Sequence, residues 1–249
     1  MNLELQGKVA LITGSSRGIG LAIAEVLLQE GCTVVLNGRD AERLGNSAKR
    51  LGVTGVASDV SQEDGALAMV NAVVAQYGRV DILVSNVGSG TSLPPGKETW
   101  AEWDRMLGLN LRAAVNAVNA ARSALAASSG VVLCISSICG SAALGAPLAY
   151  SAAKAALNSY VRGVSRVLAT EGVRINALAP GNVLFKGSSW EKHINHNPQA
   201  VKDMLKREVA LQRFGSVDEI ASIAAFMCSA KSSFMTGEIV VVDGGQLRS

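Results

Sequence analysis

Val9-Ala10-Leu11-Ile12-Thr13-Gly14-Ser15-Ser16-Arg17-Gly18-Ile19-Gly20 is the stretch that decides the fold. Four apolar residues in a row read as a short strand buried on both faces. The glycines that follow let the chain turn sharply, and Gly18 to Gln29 reads as the helix that leaves the turn. A strand feeding a helix through Gly14, Gly18 and Gly20 is the start of a parallel βα unit. Its backbone N–H groups, at the helix's positive end, are open to a pyrophosphate. Any tight turn also uses glycine, so the cluster takes its meaning from its place in the chain.

The same rhythm continues outward. Strands are expected at Thr33 to Asn37, Gly55 to Ala57, Ile82 to Ser85, Val131 to Ile135, Val173 to Ala179 and Glu238 to Val242. Between them lie helices at Ala41 to Leu51, Glu63 to Tyr77 and, as one long stretch, Trp100 to Ala127. Others are expected at about Tyr150 to Thr170, Gln199 to Arg207 and Val217 to Ser229, while Gly181 to Asn197 breaks the rhythm. Alternating strands and helices with unbroken apolar strands predict an α/β, doubly wound parallel sheet of the Rossmann type, with helices on both faces. With no Pro/Gly/Ser linker, residues 1–249 read as a single domain.

Apolar residues make up 49% of the chain and aromatics only 4%, so the core must be aliphatic. Basic and acidic residues number 23 and 20 and form no block, which leaves nucleic acid and membrane surfaces without support as partners. No leader or membrane span is read at the N-terminus. Cys32, Cys134, Cys139 and Cys228 lack zinc-ligand spacing and read as free thiols of a cytoplasmic protein. His193 and His196 have no evident third ligand, so no metal site is expected.

The second strand's end selects the cofactor. An NAD site wants a carboxylate there for the ribose 2′-hydroxyl, whereas Leu36-Asn37-Gly38-Arg39-Asp40 offers glycine and then arginine. With Arg17 from the glycine turn, two guanidinium groups suit the 2′-phosphate of NADP(H). Each charge-assisted bond contributes roughly 1.5–3 kcal/mol. The plainer alternative has Arg39 on a solvent-facing turn and Asp40 starting the next helix.

The chemistry lies in Ile135-Ser136-Ser137 and in Tyr150-Ser151-Ala152-Ala153-Lys154. Residues four apart share a helix face, so Lys154 stands one turn from the Tyr150 phenol. A phenol ionises near ~10. An ammonium about 4 Å away is worth roughly 4 kcal/mol at an effective dielectric of 20, enough to make the phenol a general acid or base. Ser137, at a strand's carboxyl end, would bond a substrate oxygen. An ordinary amphipathic helix start would also place Tyr and Lys so; the glycine turn upstream argues for chemistry.

Together these motifs resemble the short-chain dehydrogenase/reductase family across nearly the whole chain, and within it the 3-oxoacyl carrier-protein reductases. Thr13 to Gly20, including Gly14, Ser16, Arg17, Gly18, Ile19 and Gly20, matches its nucleotide turn. Asp59-Val60 matches its adenine contact, Asn86-Val87-Gly88 its structural Asn-x-Gly, and Pro180-Gly181 its motif after strand six. Arg213-Phe214-Gly215 and Val242-Asp243-Gly244-Gly245 resemble its late signatures. The resemblance implies a catalytic set of Asn110, Ser137, Tyr150 and Lys154: Tyr150 exchanges the proton and Ser137 orients the carbonyl. Lys154 binds the nicotinamide ribose and lowers the tyrosine pKa, and Asn110 holds a relay water. It also implies a small carbonyl or alcohol substrate and a homotetramer, although Ala-rich helices buried in a monomer are the plainer reading of composition.

Two positions depart from the family pattern. Val87 replaces the usual alanine, and Phe185 stands where a threonine usually holds the carboxamide, leaving the Val183 backbone for that task. A flap is expected at about 183–212, in which Trp190 either shields substrate or packs the flap against the body. Three functions fit: reduction of a ketone such as a 3-oxoacyl thioester, sugar or polyol oxidoreduction in surface-polysaccharide metabolism, or NADPH sensing without turnover. The Ser137, Tyr150, Lys154 set argues against a sensor, which needs no proton donor.

Overall fold

In a computed structural model that describes residues 2–248, seven strands form one parallel sheet in the order β3-β2-β1-β4-β5-β6-β7. The strands are β1 (Val9–Ile12), β2 (Thr33–Gly38), β3 (Thr54–Ala57), β4 (Ile82–Ser85), β5 (Val131–Ile135), β6 (Arg174–Pro180) and β7 (Ile239–Val242). The helices are α1 (Gly18–Gln29), α2 (Ala41–Leu51), α3 (Glu63–Tyr77), α4 (Trp100–Leu107), α5 (Ala113–Ser128), α6 (Leu148–Ala169), α7 (Ser189–His196), α8 (Pro198–Glu208) and α9 (Val217–Cys228).

β1, β4 and β5 are buried at every position. A strand covered on both faces has no side on which to show polar groups, hence the unbroken apolar runs. Successive side chains go to opposite layers. Ile12, Leu36 and Leu133 meet Ile23 and Leu27 of α1, Leu44 of α2 and Ile220 of α9. Leu11, Leu83 and Val132 meet Met69 of α3, Leu125 of α5 and Val161 of α6. The doubly wound expectation is met. Ile12 pairs with Leu36 on one side and Val84 on the other, so the strand order reverses at β1, and the crevice beyond the carboxyl ends there is where such sheets take ligands.

Two elements differ from expectation. Trp100 to Ala127 is not one regular helix: a π-helical turn at Gly108–Arg112 joins α4 to α5. Asn110 lies in it and donates through Nδ2 to the Met106 carbonyl at 3.1 Å and the Ser89 carbonyl at 3.2 Å. A π-turn keeps the apolar face nearly continuous, so periodicity does not reveal it. The irregular Gly181 to Asn197 segment contains α7. Ser188 accepts from the Glu191 N–H at 3.2 Å, and the Glu191 carboxylate accepts from the Gly187 N–H at 2.6 Å. That Ser-x-x-Glu start is a helix signal carried openly by the sequence. Cys32, Cys134 and Cys228 are buried free thiols and Cys139 is a partly buried one. Among the described residues no helix is long and apolar enough to cross a membrane.

Candidate active site

The carboxyl edge of the sheet opens into a cleft of about 680 Å³. At its inner end Gly14 and Gly18 take φ of +61° and +60°, where a side chain is strained. Asn86 Nδ2 braces the turn by donating to the carbonyls of Thr13 at 3.1 Å and Gly14 at 2.9 Å. Gly20 stands behind the wall rather than on it: a Cβ there would fall 2.4 Å from Asn86 Nδ2. Of the expected site residues it is the one that does not line the cleft. No side chain caps α1 and no acid occupies its first turn, so its positive end is free for an anion.

At the β2 end Gly38 stands where a carboxylate would select NAD, against Ser16 Oγ. Arg39 lies across from Asp59 at 3.5 Å with 64% of its side chain exposed, so it can swing toward a ligand. Burial would raise the Asp59 carboxyl, but two bonds from Ser61 and the Arg39 charge outweigh it and hold it below the usual range. Val60 completes this part of the wall. Asp40 caps α2 by accepting from the Arg43 N–H at 3.0 Å, which is the plainer reading of that residue. Arg43 also lines the cleft. It is absent from the sequence expectations, although its place in the first turn of α2, just after Arg39, is a usable signal. Asn37 Oδ1 is buried here with no partner among the described residues. Arg17 donates to the Gly187 carbonyl at 3.3 Å, tying the glycine turn to the flap.

A dinucleotide fits these features. The bare glycine backbone and open helix end suit a pyrophosphate, three guanidinium groups suit a 2′-phosphate, and Asn37 offers a spare acceptor to an adenine ring.

At the other end Ser137, Tyr150, Lys154 and Asn110 share the wall with Gly88, Pro180, Gly181 and Val183. Lys154 is buried and donates to the Ile135 carbonyl at 2.7 Å. Gly88 makes room for the group: a Cβ there would lie 2.7 Å from Asn110 Oδ1 and 3.3 Å from Lys154 Nζ. The lysine does not acidify the phenol in this structure. Its ammonium is 6.0 Å from the Tyr150 ring centroid, and burial pushes the phenol up to about 12, with the Ser137 hydroxyl opposing in part. Burial pushes Lys154 down to about 8. Desolvation, which penalises either charged form, outweighs attraction here. Asn110 Oδ1 accepts from the Ser89 N–H at 3.0 Å, so its side chain is committed chiefly to backbone.

Val87 wedges against Gly14, 3.1 Å from where its Cβ would be, and Gly181 touches Asp243, so the Pro-Gly and Asp-Gly-Gly motifs are one junction. Trp190 lines the cleft, and its ring packs 5.3 Å from Phe214 and 5.5 Å from His193, as the packing alternative expects. Ser89, Gly90, Arg105 and Leu109 also form the wall and were not expected.

Residues 14–246 match the family described as Enoyl-(Acyl carrier protein) reductase, which carries the short-chain dehydrogenase/reductase sequence pattern. The chain belongs to the short-chain dehydrogenase/reductase family. It is therefore an oxidoreductase of that family. It is 32% identical to the rhamnolipids biosynthesis 3-oxoacyl-acyl-carrier-protein reductase of Pseudomonas aeruginosa, with 97% of each chain covered. It is 33% identical to the gluconate 5-dehydrogenase of Gluconobacter oxydans, over 97% of this chain and 95% of that one. The L-sorbose reductase of Gluconobacter frateurii, solved with NADPH and L-sorbose, superposes with a TM-score of 0.94 at 31% identity, covering 100% of both chains.

Proposed function

We propose that this short-chain dehydrogenase/reductase interconverts a ketone and its secondary alcohol with NADPH as the hydride carrier, acting as one domain over residues 1–249. The observation that carries the reading is a single cleft with Arg17, Arg39 and Arg43 at one end and Ser137, Tyr150 and Lys154 at the other. When bound, the nicotinamide supplies the hydride; this chain supplies position and the proton.

Ser137 holds the carbonyl oxygen, and Tyr150 donates the proton to it. Kept protonated by burial at about 12, the phenol is a loaded donor throughout the neutral range. Lys154 lies beneath it, ready to bond a ribose hydroxyl, and a water held at Asn110 relays the proton from solvent. The Val183 backbone takes the carboxamide, since Phe185 has no polar group to offer, and the flap at about 183–212 closes over substrate. The relatives' names point to two carbonyl classes, 3-oxoacyl thioesters and sugar-type ketones.

The assembly is a homotetramer in the cytoplasm. Phe234 is fully exposed and Val241 on edge strand β7 is 41% exposed, which favours a covering partner. Buried free thiols suit a reducing compartment.

The test is NADPH consumption against thioesters, ketoses and simple ketones, with a Tyr150→Phe variant. Turnover should fall at least a thousandfold while NADPH still binds. A variant that remains active removes the reading, and a wild type that binds NADPH but turns over nothing favours a sensor.

A further inference from the structure

The cleft wall facing the phenol ends in a clasp that the catalytic set does not use. The chain passes Tyr150 at Gly90, where a Cβ would lie 3.8 Å from the ring's Cζ. The next carbonyl, that of Thr91, accepts from Arg105 Nη2 at 2.8 Å. The same guanidinium grips Glu102 through Nε and Nη2, both at 2.7 Å, and the Ser92 hydroxyl donates to that carboxylate at 2.5 Å. Arg105 lines the cleft beside Leu109, one helical turn along.

A guanidinium carries five N–H donors. Those on Nε and Nη2 are engaged, which leaves the two on Nη1. The bonds from Arg105 and Ser92 hold the Glu102 carboxyl down to about 2, so the pair is ionised and its charges cancel at any neutral pH. The clasp therefore leaves two fixed donors without net charge on a residue that lines the cleft. A methylene chain laid there would strip water from those donors and return nothing, which is unfavourable. An anionic substrate would compete with a carboxylate already in place. Hydroxyl groups satisfy the donors without either cost.

We propose that Arg105, oriented by Glu102, is a specificity residue that bonds hydroxyl groups next to the reacting carbonyl, so that the substrate class is an uncharged polyhydroxy ketone and its alcohol. This rests on the reading of Tyr150 as the proton donor at the carbonyl.

The experiment compares kcat/KM, with NADPH, for the D- and L-2-ketohexoses, cyclohexanone, acetoacetyl-CoA and 5-ketogluconate in wild type, Arg105→Leu and Glu102→Gln. Wild type should prefer a ketohexose over acetoacetyl-CoA. Arg105→Leu should lower the ketohexose-to-cyclohexanone ratio at least tenfold, chiefly through KM. Glu102→Gln, which uncovers the arginine's charge, should raise the 5-ketogluconate-to-ketohexose ratio at least tenfold. NADPH binding by fluorescence reports that each variant is folded. The proposal is overturned if wild type reduces no ketohexose, if it prefers the thioester, or if both ratios stay unchanged. Failure of the underlying reading is separate: it shows as undiminished turnover of every substrate by Tyr150→Phe.

Discussion

The ring of Phe185 lies directly on Gly18: a Cβ added to the glycine would meet the ring at 2.7 Å. Two departures from ordinary backbone and family pattern thus explain each other. The glycine leaves a flat surface at the entry to α1, and the aromatic residue that replaces the family's threonine uses it to seat the flap. Arg17 adds a second tie from the same turn to Gly187.

Gly18→Ala should therefore weaken NADPH binding at least tenfold, measured by fluorescence titration. The added methyl displaces the ring, and φ of +60° costs a side chain roughly 1–2 kcal/mol. Phe185→Ala in the same chain relieves the contact but not the backbone strain, so part of the loss should return. Unaltered affinity in Gly18→Ala means that the turn does not meet the dinucleotide.

We propose that Arg17, Arg39 and Arg43, which line the cleft, select NADPH. Arg39 and Arg43 are about half exposed or more, so each bond is discounted to about 1.4 kcal/mol, a factor of ten. Arg39→Ala and Arg43→Ala should each lower the NADPH-to-NADH ratio of kcat/KM about tenfold, and the pair more than either alone. A double variant that keeps the wild-type ratio would show that the 2′-phosphate is bound elsewhere.

The buried ammonium of Lys154 makes stability depend on pH. Its folded value of about 8 lies below the unfolded value near ~10.4. Between those two the unfolded chain holds more protons, so stability rises with pH; below about 8 the cost, on the order of 3 kcal/mol, is fully present. Lys154→Met removes the group. From pH 7.5 to 9.8 the wild-type Tm should climb relative to the variant's by about 5 °C. Tyr150, raised to about 12, acts in the opposite sense only above about pH 10 and is common to both proteins. Parallel Tm curves would mean that Lys154 is not desolvated in the folded chain.

The parts of this molecule that follow from local pattern were legible in its sequence. Val9 to Ile12 and Ile82 to Ser85 are buried on both sides, so burial leaves an unbroken apolar run; α1 opens at Gly18 and α3 closes at Gly78, where glycine marks the boundary in the sequence. Ser137, Tyr150 and Lys154 were legible because helical spacing and family pattern agree. What escaped depends on approach in three dimensions. Arg105 and Thr91 are 14 residues apart and meet only because the Asn86 to Thr99 loop folds back on α4. The π-turn at Asn110 leaves no periodic trace. Tyr150 looked acidified from spacing, since spacing carries no information on desolvation. The α7 cap, by contrast, has an open local signal in Ser188 to Glu191.

Gly88 is the position where a small change should separate chemistry from binding. It lies between Asn110 and Lys154, and a Cβ would reach 2.7 Å from Asn110 Oδ1 and 3.3 Å from Lys154 Nζ. Asn110 cannot retreat without breaking its bonds to the Ser89 N–H and carbonyl, each worth about 1 kcal/mol, nor Lys154 without leaving Ile135. Its φ is not in the left-handed region, so alanine brings crowding without backbone strain. Gly88→Ala should lower kcat at least tenfold through displacement of the proton-handling groups, as misplacement on this scale does elsewhere. Affinity for NADPH should change less than threefold, because the glycine turn and the arginines are untouched. Measuring kcat and the NADPH dissociation constant on the same preparation decides it: equal losses in both would place Gly88 in the cofactor's path instead of between Asn110 and Lys154.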